Sequence, residues 1–141
     1  MGNNLKFNSS VCTDIHQSQR LLDLGLNPET ADMVYEYEGT YPYDCHLRIL
    51  EDGDYISSNI ITEDIPAWSL HRLKCLLPNK IPYASGYLTV EIINNVNLMF
   101  ITDTSEQRVI SFIHENLYES MIKCIKWLIK EDYFNKEYLK Q

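Results

Sequence analysis

The sequence predicts an α+β fold in a single domain over residues 1–141, and three observations support this class. Apolar residues recur at helical spacing in three segments, near residues 14–24, 66–77 and 116–131. Two further apolar runs flank an Asn-Asn pair, which is typical of an antiparallel hairpin over residues 87–102. The hydrophobic fraction of 45% in 141 residues is large enough for a globular core.

The first helix is expected over residues 14–24, preceded by a polar and flexible segment at 1–10. Thr13 is the expected N-cap, because a hydroxyl at that position accepts a backbone N–H of the first turn. Gly25 suits the left-handed conformation that ends many helices. We expect the helix to bury one apolar face, formed by Ile15, Leu22 and Leu26.

The second helix is expected over residues 66–77, within the stretch DIPAWSLHRLKCLLP. Pro66 fits a first helical turn, Asp64 or Thr62 is the expected cap, and Pro78 ends the helix. At 100° per residue the chain predicts two occupied faces. One contains Leu70, Leu73 and Leu77, and the other contains Trp68, His71 and Cys75.

The strands are expected to form an antiparallel sheet from the 87–102 hairpin and a third strand at 108–113. A two-residue loop would oppose Ile93 to Val96. A three-residue loop instead places Leu88, Val90, Ile92, Leu98 and Phe100 on one face, and we expect this register because it separates apolar from polar side chains. A further hairpin over residues 46–60 would turn at Asp52-Gly53.

The third helix is expected over residues 116–131, with Asn116 as its cap. A wide apolar arc predicts that this helix covers the face of a sheet. The arc consists of Leu117, Met121, Cys124, Ile125 and Leu128. The opposite side carries Glu119, Lys123, Lys126 and Lys130.

The charge distribution excludes several classes of partner. The net charge is −8, and residues 1–70 hold 12 acids against 3 bases, whereas residues 71–141 hold 8 against 9. Without a Lys/Arg cluster, binding to nucleic acid or to an anionic membrane is disfavoured. No signal-like segment and only four widely spaced cysteines predict a reduced, cytoplasmic protein.

Two histidine-cysteine pairs are candidates for a zinc site. Cys12 with His16, and His71 with Cys75, each lie four residues apart, so the four side chains would make a Cys2His2 set. Cys12 precedes its helix, however, and the chain has no Cys-x-x-Cys knuckle. We therefore expect no metal and no other cofactor.

No motif of nucleophilic or phosphate chemistry is present, so no catalytic residue is assigned. If the protein is instead a small enzyme, its site is assembled from scattered residues, namely His46, His71 and His114 with nearby carboxylates. Cys124 lies in the apolar arc of the third helix, where core packing is expected. Cys45 and His46 are adjacent in a strand and point to opposite faces.

The segment from Tyr35 to Asp64 is acidic and rich in tyrosine, with Arg48 as its single base. Tyrosines at 35, 37, 41, 43 and 55 would supply contact area, and the carboxylates would steer a basic partner. The alternative is that the tyrosines pack on the core. On the first interpretation the protein is a non-enzymatic protein–protein interaction module that occupies a basic surface on its partner, with unknown oligomeric state.

Three blocks of the chain resemble a group of short uncharacterised proteins of Bacteroides-type gut bacteria. The blocks are RLLDLGLNPETADM, IPAWSLHRLKCLLP and CIKWLIKEDYFNKEYLK. Members of that group often occur in phage or mobile-element settings. The resemblance implies a bacterial cytoplasm and a role as an accessory or inhibitor protein of a mobile element, and it assigns no catalytic residue.

Overall fold

The computed structural model describes residues 10–38, 44–50, 64–83, 86–93 and 96–140. These residues form the helices α1 (Ile15–Asp23), α2 (Leu70–Leu76) and α3 (Leu117–Lys130). They also form the strands β1 (Met33–Glu38), β2 (Asp44–Ile49), β3 (Ile65–Ala67), β4 (Ile81–Tyr83), β5 (Gly86–Ile93), β6 (Leu98–Thr102) and β7 (Arg108–Ile113). The α+β class is confirmed. The expectations for residues 1–9 and for the Asn94-Asn95 loop fall outside the described residues.

The strands divide into two antiparallel sheets. In the first, β1 lies between β2 and β3, so that Tyr35 is opposite both Leu47 and Ile65. The second has the order β4-β5-β6-β7. The first half of the expected 46–60 hairpin is present as β2, and its partner among the described strands is β1. The Asp52-Gly53 turn and its second strand lie outside the described residues.

The N-cap of α1 is Asp14 and not Thr13, so that prediction was wrong by one residue. The Asp14 carboxylate accepts the backbone N–H of Gln17, and the Gln17 side chain accepts that of Asp14. This reciprocal pair satisfies two backbone N–H groups at the start of the helix, whereas a lone threonine hydroxyl would satisfy only one. Thr13 is instead fully buried, where its hydroxyl accepts the backbone N–H of Trp68.

The buried face of α1 matches the expected one only in part, because Leu26 is buried and Leu22 packs against the core. Ile15 is exposed, and the buried positions of the helix are Gln17, Ser18 and Leu21. Polar side chains are tolerated there because each has a hydrogen-bond partner, as when Ser18 bonds the Thr13 hydroxyl at 2.8 Å. Gly25 has φ of 98°, which confirms its left-handed role after the helix.

Helix α2 starts later than expected. Its N-cap is Ser69, and Pro66 lies in β3, where it is opposite Val34. Proline has no N–H to donate to a ladder and is accommodated on edge strands. Among the described strands, β3 is an outer strand of its sheet. Trp68 is consequently buried before the helix and does not share a face with His71 and Cys75, which are exposed.

The register of the β5–β6 hairpin is shifted by one residue from the expected one. Ile93 is opposite Leu98, so Met99 and Ile101, rather than Leu98 and Phe100, share a face with Val90. All five residues of β6 are buried, on both faces, so the separation of apolar from polar side chains does not determine its register. On the outer face, the Arg108 guanidinium lies 4.2 Å from the centre of the Phe100 ring.

The main core lies between the second sheet and the helices. Strand β7 and helix α3 match the predictions, and Asn116 caps α3 by accepting the N–H of Tyr118. Four residues of the predicted α3 arc are fully buried, namely Met121, Cys124, Ile125 and Leu128. They join one cluster with residues of α1, α2 and strands β4 to β7, as one domain requires. No helix in the described ranges is long and apolar enough to cross a membrane.

Two groups of contacts connect α1 and the residues after it to α3 and the last described residues. The Glu119 carboxylate of α3 accepts hydrogen bonds from Gln17 and Arg20 of α1. Further along, Leu26 and Leu139 form a β-bridge, and the backbone N–H of Lys140 donates to the Gly25 carbonyl at 2.7 Å. Both groups of contacts hold α1 against the C-terminal part of the domain.

The Glu119 network makes stability depend on pH. Burial by itself raises the pKa of Glu119, but the hydrogen bonds from Arg20 and Gln17 outweigh it and lower the pKa. A lowered pKa in the folded state gives stability that is present above the unfolded value of about 4.3 and is lost as the pH falls through the folded value. We therefore expect Glu119→Gln to be less stable than the wild type near neutral pH, and the difference to shrink on acidification.

Urea unfolding of both proteins at about pH 7 and about pH 3 measures this change. Other carboxylates titrate equally in both proteins, so the difference isolates Glu119. A difference that stays constant between the two pH values would contradict the prediction.

Candidate functional site

The structure does not assemble the four residues that suggested zinc. Cys12 is buried, with its Sγ 3.5 Å from the Tyr35 hydroxyl, whereas His16 is exposed on α1. His71 and Cys75 are exposed on α2, with Cys75 Sγ 3.7 Å from His71 Nε2. In the part of the chain that the structure describes, no three His, Cys, Asp or Glu side chains are grouped as a metal site requires.

The surroundings of Cys12 are those of a packed interior. The thiol lies in a small cluster with Met33 and Ala67, and Tyr35 packs against it. Burial raises the pKa of the Cys12 thiol, which the hydrogen bond with Tyr35 only partly offsets. The Tyr35 hydroxyl donates to the Thr13 carbonyl at 2.8 Å. Tyr35 is therefore a half-buried residue whose hydroxyl is bound to the interior at Thr13.

The remaining members of the acidic tyrosine-rich segment are only partly described. Glu36 forms an ion pair with Arg48 at 2.6 Å across β1 and β2, which uses the segment's single base. The side chains of Tyr37, Glu38, Asp44 and Cys45, and residues 39–43 and 51–63, lie outside the described part. The expected surface therefore stays a prediction there.

The three histidines that were candidates for catalysis lie on different elements. His46 is exposed on β2, and His71 is exposed on α2. His114 follows β7, and its Nδ1 accepts the backbone N–H of Asn116 at 3.0 Å, next to the cap of α3. That contact gives His114 a structural role at the start of the helix.

A different arrangement, which we call the Trp127 groove, is found between β7 and α3. It is an open groove of about 290 Å³ lined by Phe112, Lys123, Lys126, Trp127 and Lys130. The Phe112 ring meets the indole of Trp127 edge-on, with ring centres 6.4 Å apart. The Tyr133 ring also contacts the indole, with ring centres 5.7 Å apart. The floor of the groove is thus aromatic, and its indole packs against two neighbouring rings.

The rim of the Trp127 groove is basic. Lys123 and Lys126 are three residues apart, and Lys130 follows four residues later, so the three ammonium groups project from neighbouring positions on α3. All three lysines are exposed, and within the described residues none forms an ion pair. Like charges at these spacings repel each other by about 0.2–0.5 kcal/mol per pair. A bound anion would relieve this repulsion.

The groove was not predicted from the sequence. The three lysines were expected on the side of α3 opposite the apolar arc, and Trp127 was assigned no role. The available signal was a large indole at the edge of the apolar arc, directly after Lys126 and three residues before Lys130. Its neighbour Phe112 could be recognised only once α3 was known to pack across β7.

Comparisons of the chain with protein-family models, with curated proteins and with solved structures found no match. The resemblance to proteins of Bacteroides-type bacteria therefore stays a prediction.

Proposed function

We propose that the protein is a non-enzymatic protein-binding module whose Trp127 groove holds an acidic segment of its partner. The observation that carries the proposal is the aromatic floor of Phe112 and Trp127 beneath the three exposed lysines. Aromatic residues in a partly desolvated pocket are the usual anchors of protein interfaces. Surrounding charges then determine which partner is accepted.

The charge of the groove determines the chemistry of the partner. Three lysines attract carboxylates, and the apolar floor accepts an aliphatic or aromatic side chain beside them. The partner segment therefore combines one large apolar residue with flanking Asp or Glu. At this site the partner is acidic, the opposite of the basic partner expected for the Tyr35–Asp64 segment.

A nucleic acid fits the groove less well than an acidic peptide. The three lysines span about 10 Å along the helix axis, which is too short to follow a nucleic acid backbone over many phosphates. The net charge of −8 also repels a polyanion at longer range. We retain the bacterial cytoplasm and the role in a mobile element as parts of the proposal that rest on the resemblance.

The test is selection from a displayed library of random strand-length peptides, followed by binding measurements on synthetic copies of the enriched peptides. The groove variant is Lys126→Glu with Lys130→Glu. The matched control is Lys74→Glu with Lys140→Glu, two exposed lysines outside the groove, which changes the net charge equally. We expect enriched peptides to pair an apolar residue with Asp or Glu, and the groove variant to bind them at least about tenfold more weakly than the control.

Three outcomes would overturn the proposal. They are a library that yields no enriched peptide, enriched peptides that bind the groove variant and the control equally, and a labelled single-stranded oligonucleotide that binds the wild type and competes with the peptides. The last outcome would make the groove a nucleic acid site.

A further inference from the structure

The edge of the second sheet lies beside the Trp127 groove. Strand β7 is the last strand of the described sheet, and its Phe112 side chain forms part of the groove floor. The space above β6 is filled by the core, in which Met99 and Ile101 are fully buried under α3. The groove therefore lies toward the outer side of β7, where a further strand would be added.

The backbone of β7 offers hydrogen bonds on that outer side. The N–H of His114 donates to the Asn97 carbonyl, and the ladder then pairs Phe112 with Met99 and Ile110 with Ile101. Because bonded pairs alternate along an antiparallel ladder, the N–H and C=O groups of Ser111 and Ile113 point away from β6. Both residues are exposed, with Ile113 at 65%.

We propose that the partner segment binds as an extended strand added to the outer edge of β7. This inference rests on the proposed function and specifies how the acidic segment is held. The added backbone lies about 4.8 Å from β7 and bonds to Ser111 and Ile113. Every second side chain of the added strand faces α3, and one of these, an apolar residue, enters the Trp127 groove.

The period of a strand determines where the acidic residues of the partner fall. Successive side chains alternate between faces, so the residues two before and two after the apolar residue also face α3. Carboxylates at those positions meet Lys123, Lys126 and Lys130, whereas carboxylates one residue away would point to the other face of the sheet. The recognised pattern is acid-x-apolar-x-acid.

The substitution Ser111→Pro tests the mode of binding. Proline removes an outward N–H that the ladder with β6 does not use, and edge strands accommodate it. We expect Ser111→Pro to weaken binding of the enriched peptide by about tenfold or more and Ser111→Ala to change it by less than about twofold. Thermal unfolding of both variants confirms that they fold.

A second measurement uses the wild-type protein and modified peptides, in case Ser111→Pro does not fold. Methylating those backbone nitrogens of the enriched peptide that face β7 should abolish binding, and methylating the alternate nitrogens should not. Equal loss of binding on methylation of either set of nitrogens, or full binding by a folded Ser111→Pro, would overturn strand addition. If Lys126→Glu with Lys130→Glu still abolishes binding in that case, the proposed function survives and only the mode of binding fails.

Discussion

Replacing Trp68 by alanine is expected to lower the free energy of unfolding by about 3–5 kcal/mol. The side chain is fully buried in the main core, and its indole N–H donates to the Thr30 hydroxyl at 2.9 Å. Its backbone N–H and C=O both bond Thr13, so the residue also fixes the chain that enters α1. Since domains are stable by about 5–15 kcal/mol, such a loss leaves the variant close to unfolding.

Two further substitutions serve as controls for this experiment. Trp68→Phe retains an aromatic ring and should cost less, because Thr30 keeps its bond to the Asn27 carbonyl. Trp127→Ala removes the same side chain from a half-buried position and should also cost less. Urea unfolding followed by circular dichroism measures all three. A larger loss for Trp127→Ala than for Trp68→Ala would show that Trp68 is not a central core residue.

Cys124 is expected to react with thiol reagents at least about a thousandfold more slowly than Cys75 in the native protein. Cys124 is fully buried in α3, and desolvation raises the pKa of its thiol to about 12. The reactive species is the thiolate, whose fraction at neutral pH falls roughly a thousandfold when the pKa rises that far from about 8.5. Cys75 is exposed on α2 and serves as the internal reference.

Peptide mapping by mass spectrometry resolves the rate of each cysteine separately. Cys124→Ser should cost about 1–3 kcal/mol through a buried hydroxyl, and Cys75→Ser should be nearly neutral. Native labelling of Cys124 at a rate within tenfold of Cys75 would mean that the buried face of α3 is assigned wrongly.

The elements that the sequence predicted well are those with local signals. Asn116 marks the start of α3, its apolar arc recurs at helical spacing, and β7 was predicted at its observed limits. Where local signals are compatible with two structures, long-range contacts decide between them. Pro66 fits a first helical turn and an edge strand equally well, and pairing with β1 selects the strand.

The hairpin register and the groove were not predicted from the sequence, because both depend on the packing of distant elements. Alternation of polarity identifies a register only when one face of the strand is exposed, and β6 is buried on both. Similarly, Trp127 contacts Phe112 through the packing of a helix on a strand, which no spacing along the chain encodes. Spacing within each histidine-cysteine pair likewise does not encode the distance between the pairs, and among the described residues no three potential metal ligands are grouped.

The contacts between α1 and α3 also set the order in which parts of the fold can form during synthesis on the ribosome. Gln17 and Glu119 are 102 residues apart, and synthesis at 5–20 residues per second takes roughly 5–20 s to cover that interval. During this time α1 has been made but lacks α3, and Leu26 lacks its bridge to Leu139. Leu21 of α1 and Leu26 therefore reach their final burial only after α3 and the residues around Leu139 have been synthesised.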